Sequence, residues 1–167
     1  MDGVTHNVGK WDLVIAHPPC TFLSNAGAAR LYPQKGVLNK DRFIEGLKAK
    51  MFFMVFWLYG WFGVGKICIE NPVPTRVYEL PDKTQVIQPY EYGHPYSKKT
   101  YLWEFGVPPL EPTEIVEPLC SWVSGGSKDS HGNARANKGT RFRDSKTRSV
   151  TFSGVAKAMA EQWGGRQ

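Results

Sequence analysis

At 167 residues, 41% of them hydrophobic and 22% charged, the chain has the size and composition of one soluble globular domain, residues 1–167, long enough to bury a core of its own. Its three cysteines, Cys20, Cys68 and Cys120, are odd in number and form no CxxC pair, which speaks against a disulfide framework or a zinc cluster and for a reducing compartment. The net charge of +6 is unevenly spread: Lys128 to Arg148 holds seven basic residues against two acidic ones.

Met1-Asp2-Gly3 leads into polar residues and not into an apolar signal segment, so a cytoplasmic location is expected. Trp11 to Ala16 is a short apolar run closed by His17-Pro18-Pro19-Cys20. Continuous apolar character suits a strand buried on both faces of a parallel sheet. The prolines end that strand and leave Cys20 in the loop past its carboxyl end, where open α/β sheets place their ligands. Residues 21–39 read as a loop, punctuated by Asn25, Gly27, Pro33 and Gly36.

From Lys40 to about Phe62 the pattern is helical. Polar Asp41, Arg42, Glu45 and Lys48 give way to a nearly all-round apolar surface, which predicts a buried helix whose aromatics belong to the core. The longest apolar stretch, Met51 to Val64, has 14 residues, short of the ~20 that span a bilayer; no membrane association is expected. Gly65 to Ile69, followed by Glu70-Asn71-Pro72, repeats the grammar of strand, polar residues and proline. Two such units joined by a helix make a right-handed crossover with both loops at one sheet edge, which would bring Cys20 near Glu70.

Further strands are expected at Gln85–Gln88 and Thr100–Glu104, around a turn with Gly93, His94 and Pro95. The basic 128–148 segment, rich in Gly, Ser and Asn, reads as a mobile loop. It is either a contact for a phosphate backbone through Lys128, Arg135, Lys138, Arg141 and Arg143 or a plain solvated loop. Ser153 to Trp163 has helical spacing, with Thr151 or Ser153 as N-cap and Gly164-Gly165 as its end.

A cysteine after Pro-Pro at a strand end is held as a nucleophile needs to be, and is reactive as its thiolate. A glutamate in the neighbouring loop is able to exchange a proton in the same pocket. Zinc-dependent base deaminases require a His-x-Glu and a Pro-Cys-x-x-Cys, and His17 and Cys20 lack the rest of both motifs. Neither GxxxxGK[ST] nor GxGxxG occurs, and His6, His17, His94 and His131 show no paired metal-ligand spacing.

Asp12 to Ser24, with Pro18-Pro19-Cys20 at its centre, resembles the nucleophile motif of the cytosine-C5 DNA methyltransferases in their compact bacteriophage form. Ile69-Glu70-Asn71-Pro72 resembles that family's Glu-Asn motif, and Tyr92 to Thr100 its Gly-x-Pro-Gln-x-Arg-x-Arg motif. Thr151 to Gly164 resembles the C-terminal helix of the phage proteins, and the matches run in the family's order over nearly the whole chain. The resemblance implies a Rossmann-like methyltransferase-type α/β sheet. It implies catalytic Cys20 and Glu70, with Pro19, Ser24, Asn71, Lys98 and Lys99 as substrate-binding residues. Cys20 would attack C6 of a flipped cytosine and Glu70 would hold N3 and the exocyclic amine, with S-adenosylmethionine as the methyl donor and DNA as the partner.

Two departures qualify this. Lys98 falls on the first arginine of the third motif, but Thr100 falls on the second and Tyr96 replaces the glutamine; a threonine offers no guanidinium fork. Only Met1 to Lys10 precede the nucleophile strand, too few for the strand, glycine loop and second strand that hold the donor, so the sheet is expected to be N-terminally truncated. Either the missing part is supplied from elsewhere, or the chain is a reduced form that binds a nucleotide or DNA without methylating it, for instance as a counter-defence or regulatory factor. In both cases an exposed nucleophile strand predicts a homodimer or a partner chain.

Overall fold

A computed structural model describes residues 11–63, 65–121 and 150–165. The chain is mixed α/β with a small open sheet, partly parallel and mostly antiparallel. The strand order is β1-β2-β5-β3, with β1 at Leu13–Ala16, β2 at Lys66–Pro72, β3 at Gln85–Ile87 and β5 at Thr100–Phe105. Two short strands, β4 (Tyr96–Ser97) and β6 (Cys120–Ser121), pair in parallel apart from it. The helices are α1, Lys40–Trp61, and α2, Ser153–Trp163.

The described residues fall into two compact units. One comprises those up to Thr84 with Leu102–Pro108; the other comprises Gln85–Tyr101 and those from Pro109 onward.

In the first unit the expected crossover is present: β1 and β2 are parallel, with Ala16 in register with Ile69. Ile67, Cys68 and Ile69 are fully buried, as the apolar run requires. Helix α1 starts at Asn39, whose side chain accepts from the Arg42 N–H. Its core face is narrow and repeats every seven residues: Gly46, Phe53 and Gly60. A Cβ on Gly46 would collide with the Tyr78 ring, and one on Gly60 with the Phe105 ring, so the two glycines let aromatic side chains lie against the helix backbone. Phe53 meets Trp103 edge-on at 4.9 Å between ring centroids.

The expectation that α1 is buried all round is corrected by this packing. Ile44, Leu47, Met51, Val55, Leu58, Trp61 and Phe62 are exposed. A sheet covers one side of a helix, and the apolar pattern of α1 exceeds what that side absorbs.

In the second unit α2 buries Val155, Ala158, Met159 and Trp163. Its N-cap is Phe152, not Thr151 or Ser153, and no side chain of the cap bonds to the helix. The acceptor comes from elsewhere: His94 Nε2 accepts the Gly154 N–H at 3.0 Å. At the other end, Gln162 exchanges two hydrogen bonds with the Glu111 backbone.

Candidate functional site

Beyond β1 the chain turns through His17-Pro18-Pro19-Cys20, and beyond β2 it turns at Pro72. The two loops are stitched together. The Asn25 N–H donates to the Val73 carbonyl at 2.8 Å and the Thr75 N–H to the Leu23 carbonyl at 2.7 Å. Ser24 forms an antiparallel bridge with Pro74, and its own N–H donates to the Cys20 carbonyl at 2.9 Å. These bonds fix the turn that presents Cys20, whose residue is partly buried. Buried Ser24 is thus part of the frame of the turn, and Pro19 is exposed at its tip.

Asn71 is fully buried and donates from Nδ2 to the Pro18 carbonyl at 2.9 Å. Its Oδ1 is buried with no hydrogen-bond partner. A buried open acceptor is a place for a water or for a donor on a ligand. Glu70 turns its carboxylate to His17: Nδ1 and Oε2 lie 2.9 Å apart, with the imidazole half-exposed and the carboxylate mostly covered. An imidazole N–H donating to a carboxylate orients both groups. Cys68, two residues before Glu70, is inert by comparison. Burial, reinforced by the charges of Glu104 and Glu70, pushes its thiol far above the ordinary range.

Two contributors carry no signal in the sequence pattern. His17 lacks any metal-ligand spacing, and its link to Glu70 follows from the register that sets Ala16 beside Ile69. Arg42, nominally a polar residue of the first turn of α1, donates from Nη2 to the Thr21 carbonyl at 2.8 Å and lies over the Phe22 ring at 5.0 Å. It thereby holds the chain just after Cys20. Gly27 belongs to the same contact, since a Cβ there would sit 2.8 Å from Arg42 Nη2 and 3.0 Å from the Thr21 carbonyl.

The structure therefore gathers His17, Pro19, Cys20 and Ser24 on the loop after β1, whereas Glu70 and Asn71, expected in the loop after the second strand, lie inside β2 near its end. Lys98 and Lys99 belong to the second unit. There the Lys98 N–H donates to Gln88 Oε1 at 2.9 Å and its Nζ lies 5.6 Å from the centre of the Phe152 ring. Lys99 is exposed, and Thr100 is buried with its hydroxyl donating to the Lys98 carbonyl. Gly93 takes φ +80°, a left-handed conformation open to glycine, as the turn there demands. Lys128, Arg135, Lys138, Arg141 and Arg143 lie outside the described residues.

Among the described residues, no group of three or more His, Cys, Asp or Glu side chains is placed to hold a metal, and no helix is long and apolar enough to cross a membrane. No protein-family model matches the chain, and comparisons with curated proteins and with solved structures return no match.

Proposed function

We propose that this chain is a cytosine-C5 DNA methyltransferase-like protein of Rossmann-like ancestry, and that the loop after β1 and the end of β2 form its cytosine pocket. The observation that carries this reading is the placement of Cys20 on the loop after β1 and of Glu70 inside β2, two residues before that strand ends, on adjacent parallel strands whose following loops are bonded to each other. Adjacent parallel strand ends are where α/β sheets build ligand sites.

In this reading the Cys20 thiolate adds to C6 of a cytosine flipped from the stack, forming an S–C6 bond. The C5–C6 π pair moves toward C5 and N3, and Glu70 stabilises the charge by hydrogen bonding at N3 and the exocyclic amine. Protonation at C5, loss of a C5 proton and expulsion of the thiolate return the ring. His17 orients the Glu70 carboxylate. Asn71, through the Pro18 carbonyl, is a positioning residue for the Pro-Pro-Cys turn.

S-adenosylmethionine would supply the methyl group for C5, but the described residues do not fit it. Gly27, seven residues past Cys20, is packed against Arg42 and Thr21 and not open to a ligand. It also follows the nucleophile strand instead of preceding it. No step is therefore drawn through the donor.

A second reading keeps the pocket without methylation: binding of a nucleotide or DNA. It is favoured by the Glu70–His17 bond, which already occupies one carboxylate oxygen. Calorimetry separates the two. Uptake of S-adenosylmethionine by the full chain supports the methyltransferase reading. Absence of heat at millimolar donor, with cytosine-containing DNA still bound, supports the binding reading, and loss of both would sink the pocket.

A further inference from the structure

Exposed residues on α1 and at its C-cap, Phe62, recur at Ile44, Leu47, Met51, Val55, Leu58 and Phe62, in steps of three, four, four, three and four. At 3.6 residues per turn these six make one straight stripe about 27 Å long. It lies opposite Gly46, Phe53 and Gly60, the face spent on the unit's own core. The middle and end of the stripe are well exposed: Met51 71%, Val55 62% and Phe62 74%. From Met51 to Phe62 the sequence has no charged residue at all, and Lys50, just before, turns its ammonium to the Glu79 carbonyl.

We infer that this stripe is the interface of a two-fold dimer, with a second copy of the chain as its occupant. Three observations select that occupant. The stripe and the adjoining Trp61 leave seven large apolar side chains 40–74% exposed on one face, more contiguous apolar surface than a soluble monomer ordinarily leaves bare and on the scale of one partner's share, ~800 Å², of a standard specific interface. Met51 and Leu58, and likewise Leu47 and Phe62, are also placed symmetrically about the midpoint between Met54 and Val55. In an antiparallel crossing centred there, Met51 meets the partner's Leu58 and Leu47 meets the partner's Phe62, which is the self-complementarity an isologous contact requires. Finally, a lipid surface would call for free basic residues along the stripe, and the two lysines within its span are engaged by the chain itself, Lys48 with Glu45 and Lys50 with the Glu79 carbonyl. This contact is separate from the edge of β1 and does not depend on the proposed function.

Sedimentation of the full chain from micromolar to high-micromolar concentration is expected to show a dimer. Val55→Glu, at an exposed position, is expected to give a monomer with unchanged circular dichroism. Leu119→Glu, exposed in the second unit, is expected to leave the dimer intact. A geometric readout covers the case of a poorly folding variant. Under mild oxidation Val55→Cys is expected to cross-link to its own copy, while Leu47→Cys, about 22 Å from its symmetry mate along an antiparallel pair, is not. A monomeric wild type, whether or not it binds lipid vesicles, overturns the inference. So does a dimer indifferent to Val55→Glu, or equal cross-linking of the two cysteine variants.

Discussion

Asn71, in β2, donates its side-chain N–H to the Pro18 carbonyl in the loop after β1 at 2.9 Å, with no solvent exposure. Because Pro18 and Pro19 offer no N–H of their own, this side chain adds a hold on the front of the turn that presents Cys20, whose far side is bonded through the Ser24 N–H. Asn71→Leu leaves the Pro18 carbonyl buried and unpaired. It is expected to lower stability by about 1–3 kcal/mol in urea denaturation and to weaken any reaction at Cys20 by more than the stability loss explains. Unchanged stability would place the carbonyl in water.

Gly46 packs directly beneath the Tyr78 ring. Glycine to alanine within a helix ordinarily gains about 1 kcal/mol, but here Gly46→Ala is expected to cost about 1–3 kcal/mol through overpacking. In a double-mutant cycle with Tyr78→Ala the penalty is expected to vanish, because the colliding ring is gone.

Helix α2 begins without a cap of its own and borrows one from His94. His94→Ala is expected to cost about 1 kcal/mol, the ordinary value of a lost cap. Hydrogen exchange is expected to localise the loosening to the first turn, around Gly154. His94→Asn, which keeps an acceptor, is expected to recover part of it.

Cys68 gives a pH signature. Its folded-state thiol is held far above the ordinary value, first by burial and then by Glu104 and Glu70. The folded chain therefore retains a proton that the unfolded chain releases above a pH of about 8.5. The contribution of this thiol is whole below that pH and is lost as the pH rises beyond it, with a limiting slope of about 1.4 kcal/mol per pH unit. Urea midpoints of the wild type and of Cys68→Ala, compared between pH 7 and pH 10, are expected to converge as the pH rises.

The β1-α1-β2 crossover was legible because each apolar run ends in proline and the helix between them has a clean polar start at Asn39 to Arg42. The burial of α1 was not. When apolar residues occupy every face, periodicity cannot say which face meets the sheet; the glycines at positions 46 and 60 mark it, once Tyr78 and Phe105 are seen against them. The cap of α2 was hidden for another reason: its acceptor sits sixty residues away in sequence. At the site, Pro18-Pro19-Cys20 lies in the loop after β1 as expected, whereas Glu70 and Asn71 lie inside β2 and not in the loop beyond it. The pairing of His17 with Glu70 and the hold of Arg42 on Thr21 depend on strand register and helix placement, which no local pattern encodes.

The central claim is that Cys20 and Glu70 act on a cytosine ring. Exchange at C5 tests it without any methyl donor: cytosine-containing DNA is incubated with the full chain in heavy water, and the nucleosides are weighed by mass spectrometry. Reversible addition of Cys20 to C6 predicts deuterium at C5, abolished by Cys20→Ser and strongly slowed by Glu70→Gln. DNA that is bound yet gains no deuterium, or exchange that survives Cys20→Ser, would contradict it.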